Sequence, residues 1–308
     1  MRVTSCENIY TRNCVPLELR RISFRLQFKK KIKRPTGAVL GRRAEARTGS
    51  GASPSRNSQL ATSFPPNPIT PMRITSIILT AFLAAVAAAE EFKPAETMPE
   101  DAIVLFDGKG VCQFVDKDGK PADQNWKVED GCLIVSKSGH DSNHIHSTVV
   151  FQDAEIHVEF CTPENSVGNS GVYIHGKYEM QIFNSANKEN PDKYDCGAVY
   201  NKYAPLVQAC KPAGEWQVYD IKYAAPRRDE SGKIVTPGRI TAYLNGQLVQ
   251  NDVTFEEPWS VYRPEIRQKS ACMDEVNKVM KETGEGPLFL QDHSAPVKFR
   301  NVWIRKTP

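Results

Sequence analysis

Three polar side chains, Gln291-Asp292-His293, interrupt GPLFLQDHSAPVKFRNVWIR (Gly286–Arg305) directly after the apolar run Leu288-Phe289-Leu290. Two of the three are titratable, so the break is either a solvated turn or the rim of a site. A second polar set lies in KYEMQIF, where Glu179 and Gln181 alternate with Tyr178, Met180 and Ile182. A third is Glu155, His157 and Glu159, which alternate with Ala154, Ile156, Val158 and Phe160. Strand side chains point to opposite faces with a period of two, so each polar row marks an open sheet face behind an apolar one. A solvated outer face yields the same pattern in any one strand. Convergence argues for chemistry. GNSG (Gly168–Gly171) sets small residues and the Asn169 amide before a strand that runs to His175, and Glu179 follows on the next strand. Carboxylates, imidazoles and amides on neighbouring strands can bind a polyol and move protons. Tyr173, Tyr178, Tyr200 and Trp216 are available to stack on sugar rings, although most aromatic side chains of such a domain belong to its core.

The elements that must position these residues read as strands. Short alternating runs bounded by turn residues extend from IVLFDGKG to VKFRNVWIR, with hairpin signals at Asp130-Gly131 and Asn245-Gly246. Roughly ten to twelve such strands predict an all-β sandwich or barrel over residues 102–308. One segment departs from the pattern. PWSVYRPEIRQKSACMDEVNKVMKETGEG spaces Ala271, Val276, Val279 and Met280 as a short amphipathic helix does, ending at Gly284. Such an inserted helix either caps a binding face or, as the simpler reading has it, covers a sheet edge.

The N-terminal part has another character. Residues 1–71 carry fourteen Lys or Arg against three acids (Glu7, Glu18, Glu45), a balance of +11, and no sustained apolar period. A basic nucleic-acid arm is one reading of that charge. Met72 then opens MRITSIILTAFLAAVAAAEEF: one Arg, an uncharged run of about fourteen residues, and small residues before Glu90-Glu91. This is the layout of a signal peptide over residues 72–89, cut after Ala87 or Ala89, and the run is short of the ~20 apolar residues of a membrane span. It predicts translation from Met72, with 1–71 a disordered or mistranslated upstream segment, 90–101 a linker, and an exported domain in the periplasm or outside the cell. An uncleaved anchor with a basic tail is the alternative. The whole chain is +4, so residues 72–308 stand at −7 and give no sign of nucleic acid binding. Six cysteines lie in that part (Cys112, Cys132, Cys161, Cys196, Cys210, Cys272), an even number that allows disulfides in any of fifteen connectivities.

Several chemistries are missing from the sequence: no GxSxG elbow, HExxH helix, GxxxxGK[ST] loop or GxGxxG fingerprint occurs. Asp292-His293 could ligate a divalent metal, and no cysteine pair has the CxxC spacing of a zinc site. A retaining glucanase needs paired carboxylates ~5 Å apart. Gln181 stands where the second acid of such a strand pattern would be.

With these residues in view, the chain from Ile103 to Arg305 resembles the 3-keto-disaccharide hydrolase domain family, whose fold is the concanavalin A-like lectin/glucanase jelly roll. The resemblance rests on LFDGK (Leu105–Lys109), WKVEDGCLIV (Trp126–Val135), VEF (Val158–Phe160) and GNSGVYIHGKYEMQI (Gly168–Ile182). CGAVY (Cys196–Tyr200), KPAGEW (Lys211–Trp216), APR (Ala225–Arg227), NG (Asn245–Gly246) and the closing GPLFLQDHSAPVKFRNVWIR complete it. The chain departs from the family in having VCQFVDKDG where a Trp usually follows LFDGK, and in a longer Phe255–Gly284 insertion. The resemblance implies a carbohydrate substrate, an oxidised disaccharide or glycoside. It also implies a mechanism: a base removes the C2 proton acidified by a 3-ketone, the C1 substituent leaves by β-elimination, and water adds back. On that basis Glu179 is the leading base, and His293 the alternative base or the acid for the leaving group. Asp292 orients His293 or helps hold a cation. Gln181, Asn169 and Lys211 bind the ketone or hydroxyls, while Glu159, His175, Gln291 and Tyr200 complete the expected contacts. A lectin-like binding domain without catalysis is the competing expectation.

Overall fold

Alternation builds this domain, and register decides which faces it buries. The computed structural model describes residues 91–110, 112–124, 126–135 and 143–308. The leader and signal-peptide expectations, residues 1–89, fall outside them. Among the described residues the chain forms β1 (Ile103–Phe106), β2 (Phe114–Val115), β3 (Lys127–Glu129), β4 (Cys132–Ile134) and β5 (Ile145–Phe151). It continues with β6 (Ala154–Cys161), β7 (Ser170–Ile174), β8 (Tyr178–Ile182), β9 (Trp216–Ala224) and β10 (Arg227–Arg228). β11 (Ile234–Thr236), β12 (Gly238–Leu244) and β13 (Gln247–Phe255) lead to helices α1 (Pro264–Arg267) and α2 (Ala271–Thr283). β14 (Gly286–Leu290) and β15 (Lys298–Lys306) end the chain. No described helix is long and apolar enough to cross a membrane.

Two sheets stack as the concanavalin A-like jelly-roll sandwich. One has the strand order β13-β12-β9-β6-β15-β4-β3, with β1 also on β15; the other runs β2-β5-β14-β7-β8. The last strand, β15, closes the sandwich from inside its sheet, between β6 and β4, rather than from an edge. The inward rows meet in one core: Ile156, Val158 and Phe160 from β6, Tyr219, Ile221 and Tyr223 from β9, Val172 and Ile174 from β7, Met180 and Ile182 from β8. Each such side chain contributes about 1.5–3 kcal/mol by leaving water. Residues 91–101, expected as a linker, form no strand or helix, yet Phe92 packs edge-on against Tyr243 at 5.9 Å and accepts its hydroxyl proton at 3.1 Å.

Hairpin turns set the register. Asp130-Gly131 and Asn245-Gly246, both legible in the sequence, have positive φ at each residue (51° and 71°; 53° and 77°), as a two-residue type I′ turn requires. His175-Gly176 joins β7 to β8 with the same geometry, 56° and 63°. Gly176 is also needed for space, because a Cβ there would stand 3.0 Å from the Phe289 ring.

The inserted helix does not cover a sheet edge. Ser270 caps α2 by accepting the Met273 N–H at 3.1 Å, and Gly284 ends it in the left-handed region at φ 76°. Its apolar stripe (Cys272, Met273, Val276, Met280) packs on Val150, Tyr173 and Phe289. These belong to β5, β7 and β14, so the helix lies on the outer face of the five-stranded sheet.

Burial under this packing keeps two histidines uncharged. His146 and His175 both have pKa values lowered to about 3, chiefly by loss of water around the ring, helped at His175 by the Lys177 charge. The unfolded chain binds these protons near pH 6.5 and the folded chain does not, so stability is full above that pH and falls as pH drops towards 3. The urea midpoint is therefore expected to fall between pH 7 and pH 4, and less steeply in His146→Leu. An equal slope in that variant would contradict the assignment.

Candidate active site

On the outer face of the five-stranded sheet, Gly171 pairs with Gln181 and Tyr173 with Glu179 across β7 and β8. Phe289 pairs with Tyr173 on one side and His146 on the other. Gln291 prolongs β14 by donating its N–H to the Gly171 carbonyl at 2.9 Å. Two ranks of side chains result. Phe289 and Tyr173 are roofed by α2. Glu179, at the end of that rank, and the neighbouring rank of Gln291, Gly171 and Gln181 face an open cavity of about 490 Å³, whose lining also includes Tyr173, His144, Asn169 and His293.

Glu179 owes its position to a missing side chain. A Cβ at Gly171 would come 2.4 Å from Glu179 Oε1 and 3.0 Å from its Cγ. The carboxylate thus lies across the β7 backbone in space that only glycine leaves. Glu179 is 4% exposed. Two amides flank this face. Gln181 donates Nε2–H to the Tyr194 carbonyl at 3.2 Å, and Gln291 donates to the Tyr173 hydroxyl at 3.4 Å. The Oε1 atoms of both amides are buried and accept no hydrogen bond. Buried acceptors without donors are costly, so they favour a ligand that brings hydroxyl groups.

The rest of the wall comes from the loop after β8. The Tyr200 N–H donates to the Glu179 carbonyl at 2.9 Å, which seats the Tyr200 side chain beside the carboxylate. Burial first, then the Glu179 charge, raise the Tyr200 pKa and keep its phenol protonated. Its ring meets Tyr194 edge-on at 5.7 Å. Lys188 bridges Asp192 and Asp195 at 2.8 and 2.6 Å. Tyr262, from the insertion, stands half exposed at the mouth. At the opposite wall His144 Nδ1 accepts the Asp292 N–H at 3.1 Å, so the ring carries its proton on Nε2.

The structure brings together Glu179, Gln181, Asn169, Gln291, Tyr200 and His293 of the expected set. Asp292 is fully buried and outside the lining; its Oδ1 accepts the Ser294 N–H at 2.9 Å and shapes the turn that presents His293. No group of three or more His, Cys, Asp or Glu poised to hold a metal occurs among the described residues. Three expectations are corrected. Glu159 lies on β6 of the other sheet, bound to Arg300 at 2.6 Å and Asn301 at 2.8 Å; burial raises its pKa, and these hydrogen bonds outweigh that and lower it. His175 leaves the row because its positive φ ends the alternation, and its ring packs on Phe151 and Tyr223, each at 5.0 Å. It lines a separate cavity of about 850 Å³ beside the β10–β11 hairpin and the end of α2. Lys211 is exposed and donates to the Trp216 carbonyl at 3.1 Å.

His144, Tyr194, Lys188 and Tyr262 were not singled out from the sequence. The alternation of His144 with His146 was a usable signal, but only once β5 is known to pair with β14. The Gly171 contact yields a direct test. Gly171→Ala is expected to cost about 1–3 kcal/mol of stability by overpacking and to leave the fold in place. A crystal structure of the variant should show the Glu179 carboxylate displaced from β7. An unmoved carboxylate with unchanged stability would contradict the account.

No curated protein matches the chain. Among solved structures it is similar to a glycosyl hydrolase candidate from Parabacteroides distasonis ATCC 8503, solved at 2.13 Å, with 30% identity and a TM-score of 0.56. That match covers 71% of this chain and 95% of the other. A second candidate from that organism matches at 19% identity with a TM-score of 0.47, over 69% of this chain and 99% of its own. A family model for the 3-keto-alpha-glucoside-1,2-lyase-like domain matches residues 101–305, and the chain belongs to that carbohydrate-active family.

Proposed function

We propose that the cavity binds a 3-keto-glycoside and cleaves it by elimination across C1 and C2, followed by hydration. One observation carries this reading: a buried carboxylate, Glu179, beside two buried amides with unused acceptor atoms. Sugar hydroxyls supply donors for Gln181 and Gln291, and Tyr194, Tyr200 and Tyr262 offer aromatic faces to the ring or its substituent.

The chemistry follows from the acidity of a proton next to a ketone. Glu179 takes the C2 proton, and the electrons of that bond move towards the C3 oxygen. The His144 Nε2–H and the Tyr200 hydroxyl are donors in the lining that can stabilise the oxyanion. The C1–O bond then breaks, and His293, exposed at the rim, gives a proton to the departing oxygen. Water adds to the C1–C2 double bond, which completes net hydrolysis. Proton transfer by a placed side chain is worth about 10²–10⁴ in rate.

Accordingly, purified protein should cleave 3-keto-trehalose or a 3-keto-α-glucoside and leave the unoxidised sugar intact. Glu179→Gln should lower the rate by about two to four orders of magnitude while preserving binding. Equal cleavage of the unoxidised sugar would overturn the elimination reading. Tight binding of both sugars without turnover would assign the chain to the lectin-like class.

A further inference from the structure

The loop that walls the cavity is anchored by two thiols. Cys196 and Cys210 are 2% and 8% exposed, and they hydrogen-bond each other. Cys210 Sγ also contacts the Phe183 carbonyl at 3.6 Å and accepts from Gln217 Nε2 at 3.5 Å. Cys196 Sγ stands 3.7 Å from the Tyr219 hydroxyl, and its N–H donates to Ser185 Oγ at 3.1 Å. Phe183 lines the cavity at the start of this loop. Between Phe183 and Cys210 the chain carries Lys188, Asp192, Tyr194, Asp195 and Tyr200, all wall residues. All six cysteines of the described domain are thiols in this structure.

We propose that Cys196 and Cys210 are a redox-active dithiol that closes to a disulfide and staples the cavity wall. The two sulfurs are unlike, as thiol–disulfide exchange requires. The Cys196 hydrogen bond, with help from Gln217 and Ser185 and against the effect of burial, lowers the Cys210 pKa to about 6. Cys196, more deeply buried, is pushed well above the ordinary thiol range. Cys210, the less buried of the two and the acceptor of the Gln217 amide hydrogen, is the attacking thiolate and Cys196 the resolving thiol.

The exchange balances with a disulfide as oxidant. The Cys210 thiolate attacks one sulfur of that disulfide, whose S–S bond breaks, and the first thiolate leaves and takes a proton from water. Cys196 then gives up its proton and attacks Cys210 Sγ. The second thiolate departs and is protonated. Two electrons pass from the cysteine pair to the oxidant, which ends as two thiols. The pair stands independently of the proposed sugar reaction.

Oxidised glutathione is the probe. The full chain is reduced, exposed to it, alkylated with iodoacetamide and digested with trypsin. The expected product is the Tyr194–Lys202 peptide joined to the peptide that carries Cys210, with both residues unalkylated. Closing this loop should also raise the melting temperature by about 5 °C, and the shift should vanish in Cys210→Ser. In Cys196→Ser, the pH midpoint for alkylation of Cys210 should rise from near 6. Full alkylation of both residues after oxidation, or a disulfide from either to another cysteine, would overturn the proposal. The wild-type peptide map decides the matter even if neither variant folds.

Discussion

A carboxylate oxygen of Glu179 fills the space where any side chain at Gly171 would begin. That contact is possible because β7 and β8 are joined at His175-Gly176 in the one register that places Gly171 opposite Gln181 and Tyr173 opposite Glu179. A one-residue slip would send Glu179 into the core and Met180 into water. The hairpin, the glycine and the carboxylate are thus a single constraint. The sandwich core of Val172, Ile174, Met180 and Ile182 enforces it from the opposite face of the same strands.

The outer face of that sheet is divided rather than uniformly wet. Over Phe289, Tyr173 and Val150 the inserted helix α2 makes it dry, and His146, packed on Phe289 at 5.2 Å, stays neutral there. Beyond the helix the face opens onto the amides and Glu179. The insertion therefore does two things at once: it covers apolar surface that would otherwise be exposed, and through Tyr262 it reaches the mouth of the cavity. The wall on the other side is set by main-chain hydrogen bonds from residues 198–200 to β8, which explains why a loop can place Tyr200 reproducibly beside the carboxylate.

Local signals in the sequence were reliable where the physics is local. The alternation of Glu179 and Gln181 with Tyr178, Met180 and Ile182, the Asp130-Gly131 and Asn245-Gly246 turns, and the helix ending at Gly284 all read correctly. What failed depended on pairing between distant strands. Glu155, His157 and Glu159 show the same alternation as the β8 row, but they lie on the outer face of the other sheet. There Glu155 binds Arg305, Glu159 binds Arg300, and His157 binds Asp220 at 2.7 Å. Nothing within DAEIHVEF distinguishes an ion-paired face from a binding face. His175 was lost to the positive φ of a hairpin turn that its neighbour glycine alone signalled weakly. His144 was missed because its partner, Asp292, lies far along the chain.

Deuterium incorporation at C2 tests the central claim most directly. Cleavage of a 3-keto-α-glucoside in D2O, followed by mass spectrometry and NMR of the released keto sugar, reports whether the C2–H bond was broken. Elimination and hydration at Glu179 predict a product with deuterium at C2, formed faster than the Glu179→Gln variant forms it. A product that keeps its original hydrogen at C2 would show direct displacement at C1 and contradict the account.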